Sequence, residues 1–347
     1  MTTPALPSLE ARVKLYRIGM GFAALQFVQA AVDLKVADAL DDEPLGADEL
    51  AKAVDADPDA LGRLLRALSC LGFFEADEDG RFRHTELSRM IRQDSTWGAP
   101  DVIRFGWLHV PVSVLHHTAD AVRTGEAAFP KVFGTQAQSY FVNDDPEAGA
   151  IFNRAMTANT ILLNNAPALV AALAPRPGET VMDVGGGQGQ LLLQLMEAYP
   201  DIHGVLLELE QVLPGVDERL RAGGALAARA ELLAGDCRES VPGGADTYLY
   251  KHMMYMWDDD TVVAILRNTA RAAASGARVV VVDMLLGGDS PFEEICTAVD
   301  LLMVLMGGGK RRSVDQFAAL FEQAGLDYQG ARSIEGDQSV LLTALVP

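Results

Sequence analysis

The chain has 347 residues, of which 49% are hydrophobic and 22% charged, a composition typical of a globular protein with a sizeable core. Its net charge of −20 argues against a nucleic-acid partner, because an acidic surface repels phosphate. It contains no run of about 18 apolar residues, so we expect no membrane span.

The three cysteines, Cys70, Cys237 and Cys296, lie far apart and form no C-x-x-C pair. The histidines show no ligand spacing either, so we expect neither a disulfide scaffold nor a metal site. Residues 1–4 lack the basic-then-apolar order of a signal peptide. We therefore expect a protein of the reducing cytoplasm.

Residues 1–100 predict a small domain of the winged-helix type. A long amphipathic helix is expected over residues 10–40, where apolar side chains recur at steps of three and four. Two short helices over residues 45–71 and a β-hairpin over residues 72–84 follow. With 11 basic and 17 acidic residues the domain has a net charge of −6, which favours a structural or dimerising role over DNA binding.

Residues 101–172 predict a helical segment that is rich in aromatic side chains. Most of these belong in a core, and a few are expected to line a pocket for a flat, apolar ligand. The sequence Pro175-Arg176-Pro177-Gly178 then marks a domain boundary.

Residues 173–347 predict an α/β domain, because strand and helix patterns alternate. That alternation indicates a parallel, doubly wound, Rossmann-like sheet, and the last two strands are expected to form an antiparallel pair at its edge. The predicted strands are Thr180–Val184, Gly204–Leu209, Glu231–Ala234, Thr247–Tyr250, Ala277–Val282, Tyr328–Ser333 and Ser339–Val346.

The first of these strands runs directly into a glycine loop, Asp183 to Gly189, and a helix follows. The spacing Gly185-x-Gly187-x-Gly189 departs from the dinucleotide pattern G-x-G-x-x-G, which requires glycine where Gln190 stands. Asp183 would repel a pyrophosphate, whereas the ammonium and sulfonium groups of S-adenosylmethionine would be attracted to it. The loop therefore predicts an S-adenosylmethionine site.

Two further acids follow the next two strands. Glu208 is expected to accept hydrogen bonds from both ribose hydroxyls, and Asp236 from the adenine amino group, with Cys237 beside the ring. Acids at strand ends are often only solvated, so each is weak evidence alone. Three of them after successive strands, together with the loop, favour S-adenosylmethionine over a nicotinamide cofactor.

Four segments of the chain resemble the plant caffeate-type O-methyltransferases and their bacterial antibiotic-biosynthesis relatives of the anthracycline type. These segments are Asp183–Gly189, Gly235-Asp236, Tyr248 to Asp260 and Gly307 to Ser313. The resemblance covers nearly the whole chain. It implies S-adenosyl-L-methionine as methyl donor, a small aromatic or polyketide-like acceptor, no metal, and an intertwined homodimer formed by the N-terminal domain.

The resemblance also implies roles for individual residues. Six positions would hold the cofactor together with Gly187, namely Asp183, Gly185, Glu208, Asp236, Cys237 and Lys251. Six would face the acceptor, namely Phe152, Met156, Asn159, His252, Met303 and Met306. The methionines would serve equally well as ordinary core residues.

The chain departs from the family at the catalytic base. The plant enzymes carry a histidine two residues before the motif tryptophan, and this chain has Tyr255 there. Two further acids of the family's site correspond to Asp283 and Arg311. As part of a basic run before a helix, Arg311 is expected to be solvated, and its alternative role is to stabilise a phenolate or hold a substrate carboxylate.

Three accounts of the chemistry remain open. In the first, the acceptor is already acidic, so positioning suffices. In the second, His252 is the base, although a structural histidine would fit the same pattern. In the third, the protein uses the cofactor without methylating, as a hydroxylase, decarboxylase or cyclase. We predict an O-methyltransferase of secondary metabolism, with Tyr255, Asp283, Arg311 and His252 in the reaction site.

Overall fold

The computed structural model of the chain describes residues 6–287 and 292–347. Residues 1–4, on which the expectation of no signal peptide rested, lie outside this range. The chain divides into two compact units, Met1–His109 and Val110–Pro347. The domain limits at residues 100 and 172 stay predictions.

The first unit is helical with a small hairpin. Its antiparallel strands pair Phe74 with His84 and Ala76 with Phe82. The elements are α1 (Leu9–Gly19), α2 (Gly21–Asp33), α3 (Val36–Ala39), α4 (Ala47–Ala53), α5 (Pro58–Cys70), β1 (Phe74–Ala76), β2 (Phe82–His84), α6 (Glu86–Met90) and α7 (Ala99–Trp107).

The prediction of one long helix over residues 10–40 is wrong. Helices α1 and α2 meet at Met20 with a bend of 51°, and Lys35, at φ 55°, separates α2 from α3. Met20 stands between two glycines, which are poor helix formers. Within the described residues no single helix is long and apolar enough to cross a bilayer, and α1 and α2 pass that test only as this bent pair.

Helix α1 buries none of its residues inside its own unit. Its apolar side chains Leu15, Tyr16 and Ile18 are 69%, 76% and 68% exposed, and Phe22 at the start of α2 is 59% exposed. An apolar stripe of this extent is typical of a surface that another chain covers.

The second unit contains a seven-stranded sheet. Its strands are β3 (Thr180–Val184), β4 (His203–Glu208), β5 (Ala230–Ala234), β6 (Thr247–Lys251), β7 (Arg278–Asp283), β8 (Asp327–Ser333) and β9 (Val340–Leu345). They lie in the order β5-β4-β3-β6-β7-β9-β8. The first five are parallel, and β9 runs antiparallel to both β7 and β8. The predicted doubly wound sheet with an antiparallel edge pair is confirmed.

The helices of this unit precede the sheet or connect its strands. They are α8 (His109–Leu115), α9 (Thr118–Thr124), α10 (Phe129–Phe133), α11 (Ala137–Ser139), α12 (Pro146–Leu163), α13 (Ala166–Leu173), α14 (Gln190–Ala198), α15 (Asp259–Ala272), α16 (Glu293–Met306) and α17 (Val314–Gln323). Short 3₁₀ turns occupy Leu213–Gly215 and Met254–Met256, and a π-helical turn occupies Tyr140–Asp144.

Side chains alternate across the sheet and fill one core on each face. Met182, Tyr248 and Val281 point to the core that α15 and α17 cover, whereas Val181 and Leu249 point to the core beneath α13 and α14. Because the five central strands are parallel, their carboxyl ends meet at one edge. That edge carries the residues that the sequence singled out.

Candidate active site

The glycine loop after β3 needs its glycines for two different reasons. Gly185, Gly187 and Gly189 have φ values of 69°, 61° and 80°, which side-chain-bearing residues rarely adopt. Gly186 has no such φ, but a Cβ there would lie 2.4 Å from Oδ2 of Asp183 and 2.7 Å from Cδ1 of Leu206. The loop therefore passes directly over the Asp183 carboxylate.

Asp183 is a carboxylate buried beneath the glycine loop. It is 1% exposed, and within the described residues neither oxygen accepts a hydrogen bond of standard geometry. Burial raises the pKa of Asp183 to about 7, opposed by the charge of Lys251 and, as the least of four influences, by the Leu192 backbone amide. An unpaired buried carboxyl is costly unless a partner arrives. A cationic group such as the ammonium of S-adenosylmethionine fits this position.

Glu208, at the end of β4, forms a hydrogen bond to the glycine loop. Its Oε2 accepts from the Gly187 amide at 2.8 Å, and its Oε1 accepts from the Leu209 amide at 2.7 Å. Burial raises the pKa of Glu208. Each carboxylate oxygen can accept a second bond, so the carboxylate retains capacity for a diol beside the loop.

Asp236 is bonded to a residue that the sequence analysis overlooked. Arg238 donates to both of its oxygens at 2.9 Å (Nε to Oδ1) and 2.5 Å (Nη2 to Oδ2), and its guanidinium lies 4.7 Å from the Trp257 ring centre. This pairing holds the pKa of Asp236 below its usual range. Burial raises the pKa of the neighbouring Cys237 thiol to about 12, so it stays protonated.

Lys251 is the last residue of β6 and His252 follows it, and both lie in a polar network. Lys251 Nζ donates to Thr160 Oγ1 at 3.1 Å and lies 3.4 Å from Nδ1 of His252. The other ring nitrogen, Nε2, lies 2.9 Å from Ser339 Oγ. Burial lowers the pKa of Lys251 to about 8. Burial also lowers the pKa of His252 well below its usual value, so this histidine is neutral at pH 7.

Arg311 is buried, and the expectation that it is a solvated charge is wrong. It is 6% exposed, its Nη1 donates to Asp283 Oδ1 at 2.6 Å, and its guanidinium lies 4.1 Å from the ring centre of Tyr255. Its backbone amide donates to Asp300 Oδ1 at 2.6 Å. Its Nε has no hydrogen-bond partner within the described residues.

The electrostatics around Arg311 follow from this burial. Burial raises the pKa of Asp283 to about 6, against the opposing charge of Arg311. Burial also raises the pKa of Tyr255, so this phenol remains protonated at neutral pH. The position that carries a histidine in the plant enzymes therefore holds a neutral ring beneath a permanent cation.

Two residues that fix Tyr255 were missed at the level of sequence. Arg312 is 1% exposed, and its guanidinium donates to the carbonyl oxygens of Met254 at 3.0 Å and Trp257 at 2.8 Å. A Cβ on Gly309 would lie 2.4 Å from the Tyr255 carbonyl oxygen. A buried arginine and a close backbone approach thus hold the 3₁₀ turn that carries Tyr255.

Five of the six predicted acceptor-facing residues lie on two helices, and the sixth, His252, directly follows β6. Phe152, Met156 and Asn159 are partly buried on α12, and the Phe152 ring stacks on Phe141 with centres 5.2 Å apart. Met303 and Met306 are partly buried on α16, which also supplies Asp300 to Arg311. The polar residues around Asp183, Lys251 and Arg311 act on one another through hydrogen bonds or charge, whereas within the described residues the side chains of the two methionines form no hydrogen bond to them.

Comparison with known proteins gives the family. A family model described as an O-methyltransferase domain matches residues 115–327, and an O-methyltransferase dimerisation domain matches residues 16–94. The mitomycin biosynthesis 6-O-methyltransferase of Streptomyces lavendulae is 37% identical over 300 residues, 86% of this chain and 84% of that protein.

Two further relatives carry information on chemistry. A solved O-methyltransferase from neocarzinostatin biosynthesis, in complex with S-adenosylmethionine and 2-hydroxy-5-methyl naphthoic acid, matches with a TM-score of 0.73 and 31% identity over 93% of this chain and 95% of that one. The aclacinomycin 10-hydroxylase RdmB of Streptomyces purpurascens is 32% identical over 82% of this chain and 76% of that protein.

The matched models cover both units of the chain, and the buried Asp183 carboxylate beneath its glycine loop fits the cofactor of the solved relative. The chain belongs to the O-methyltransferase family and is an S-adenosylmethionine-dependent enzyme.

Proposed function

We propose that the enzyme methylates a hydroxyl oxygen of a small aromatic or polyketide-type secondary metabolite. The observation that carries this proposal is the buried Arg311. Its guanidinium lies beside the Tyr255 ring, and its Nε–H has no hydrogen-bond partner within the described residues. The relatives named for mitomycin and neocarzinostatin biosynthesis support the acceptor class. The cofactor supplies an electrophilic methyl group when it is bound.

The cofactor would be held by residues at the carboxyl ends of the strands. We assign its ammonium group to Asp183, its ribose hydroxyls to Glu208 and its adenine to Asp236 and Cys237, with Gly185 and Gly187 allowing close approach. Lys251 would stand opposite Asp183, since the charges of the two residues act on each other. Each Asp236 oxygen already accepts two bonds from Arg238, counting its backbone amide and a shared Nε, so binding adenine there would require Arg238 to release one of them.

The acceptor would lie against Phe152, Met156 and Asn159 of α12 and against Met303 and Met306 of α16. Flat rings pack well on aromatic and thioether side chains. The stacked Phe141–Phe152 pair offers such a surface. A pocket of this kind orients the acceptor hydroxyl for in-line attack, and orientation is a large part of the rate enhancement.

Activation of the acceptor would rest on charge. A phenol with a pKa of about 10 is ionised in roughly one molecule in a thousand at pH 7, which costs about 4 kcal/mol. A cation about 4 Å away in a medium of effective dielectric near 20 contributes up to about 4 kcal/mol to a phenolate. Arg311 would supply this term, reduced by its partner Asp283, and the acceptor would then bind as an anion.

Tyr255 does not replace the histidine base in this account, because burial keeps its phenol protonated. It would instead hold the Arg311 guanidinium by its ring face. His252 remains the alternative base, being neutral at pH 7. Both of its ring nitrogens already have partners, however, which favours a structural role.

Hydroxylation is the second candidate function, because the relative RdmB is named as a hydroxylase, and one experiment tests both. The enzyme would be incubated in air-saturated buffer containing a thiol reductant, with S-adenosylmethionine and a panel of hydroxylated naphthoic acids and polyketide phenols. The masses of the products would be measured by mass spectrometry. We expect a product heavier by one methylene unit. A product heavier by one oxygen atom, with the cofactor unconsumed, would support the hydroxylase and contradict the methyltransferase proposal.

We further propose a homodimer formed through the N-terminal unit, located in the cytoplasm and without a nucleic-acid partner. The matched dimerisation domain and the exposed stripe on α1 support the dimer. Sedimentation at several concentrations tests it, and a species that stays monomeric at micromolar concentration would contradict it.

A further inference from the structure

Helix α12 and the residue that follows it carry a row of three polar side chains that bond to the glycine loop and its neighbours. Thr157 and Thr160 lie three positions apart on one face of the helix, and Asn164 is the extended residue directly after its last turn. Thr157 Oγ1 donates to Gln188 Oε1 of the glycine loop at 2.8 Å, and Lys251 Nζ donates to Thr160 Oγ1 at 3.1 Å.

The third residue anchors the end of the helix. Asn164 is 8% exposed, and its Nδ2 donates to Ser339 Oγ at 2.9 Å and to Asp337 Oδ1 at 3.1 Å. Ser339 Oγ in turn lies 2.9 Å from His252 Nε2. The row of three therefore reaches the glycine loop, the end of β6 and the turn before β9.

Two of the three proposed acceptor-facing residues of α12 lie one position before these threonines. Met156 directly precedes Thr157, and Asn159 directly precedes Thr160. Successive helical residues differ by about 100° in direction, so the two sets occupy neighbouring faces of the same rigid helix. A rotation or shift of α12 that strained these hydrogen bonds would also move the side chains proposed to face the acceptor.

We propose that Thr157 and Thr160 are positioning residues through which cofactor binding fixes the acceptor-facing side of α12. This inference rests on the proposed function, because it uses the assignment of Gln188's loop and Lys251 to the cofactor site. The bound cofactor would restrict the motion of the loop and the lysine. The hydrogen bonds of the two threonines would extend that restriction to the helix. Cofactor and acceptor binding are then coupled, and such coupling is reciprocal.

The test measures α12 without requiring the acceptor. Amide hydrogen exchange is followed in α12 peptides with and without S-adenosylhomocysteine, whose binding is measured in parallel by calorimetry. In the parent enzyme we expect the ligand to slow exchange across residues 152–163 by about fivefold or more. In Thr157→Val/Thr160→Val we expect this slowing to fall below about twofold, while the ligand still binds.

Controls separate the bonds from general loosening of the fold. Thr157→Ser/Thr160→Ser keeps both hydroxyls and should restore the slowing of exchange. Thr297→Val removes an exposed hydroxyl on α16 that donates to the Glu293 carbonyl oxygen one turn back, and this variant should behave as the parent. Equal slowing in the valine and serine variants would overturn the proposal, as would ligand binding without any slowing in the parent. Failure of the parent to bind S-adenosylhomocysteine would instead overturn the proposed function and this inference with it.

Discussion

The affinity for S-adenosylhomocysteine should fall as the pH drops below 7, because Asp183 must be ionised to receive the ligand's ammonium group. Burial raises the pKa of this carboxyl to about 7 in the free enzyme. It is then ionised to roughly 90% at pH 8 and roughly 10% at pH 6. The dissociation constant should therefore rise about tenfold from pH 8 to pH 6, equivalent to about 1.4 kcal/mol, and binding at pH 7 should release about half a proton per ligand.

Calorimetry at pH 6, 7 and 8, in buffers of different ionisation enthalpy, measures both the affinity and the proton released. Glu208 and Lys251 also have shifted pKa values and act on Asp183, so the profile is compared with that of Asp183→Asn. This variant should bind weakly and lose most of the pH dependence. The reasoning is refuted if the parent binds equally well at pH 6 and pH 8, or if the variant keeps the parent's slope.

Three further predictions concern single side chains. Replacing Glu208 by alanine should weaken S-adenosylhomocysteine binding in calorimetry by about 10- to 100-fold for each ribose bond lost, since a hydrogen bond to a charged group contributes about 1.5–3 kcal/mol. The exposed Glu210→Ala should bind as the parent does, and equal affinities of the two variants would dismiss the ribose assignment. Arg311→Met should lower the free energy of unfolding by about 3–5 kcal/mol, because it leaves the buried Asp283 carboxyl without its cation. The control Arg123→Met removes an arginine that is 70% exposed and should change the free energy of unfolding by less than about 0.5 kcal/mol. Similar denaturation midpoints for both variants would contradict a buried pair. His252→Ala should abolish turnover if His252 is the base, with a loss of about 10²- to 10⁴-fold at unchanged ligand affinity, so near-parental turnover would leave it only a structural role.

The sheet could be predicted to within one residue at every strand end, because its hydrophobic pattern is local and each strand is bounded by turn residues. The helix start at Ser313 was also readable, since Ser313 and Gln316 form a capping box. The break at Met20 was less visible. The apolar spacing continues across it, and only the flanking glycines indicate that the helix ends there.

The burial of Arg311 could not be predicted from its neighbours in sequence. Three consecutive basic residues resemble a solvated run, yet Arg311 pairs with Asp283, 28 positions away, and Arg312 with Asp259, 53 positions away. Such partners are set by the fold rather than by local sequence. The pairing of Asp236 with Arg238 was close enough to find, and the short spacing of opposite charges was its signal.

The most direct test of the account is transfer of a labelled methyl group from S-adenosylmethionine to the acceptor. With an acceptor that is turned over, we predict one label in the product and one S-adenosylhomocysteine formed for each acceptor consumed. Asp183→Asn should reduce both in parallel at limiting cofactor. Consumption of the acceptor without label in the product would contradict methyl transfer as the function of this site.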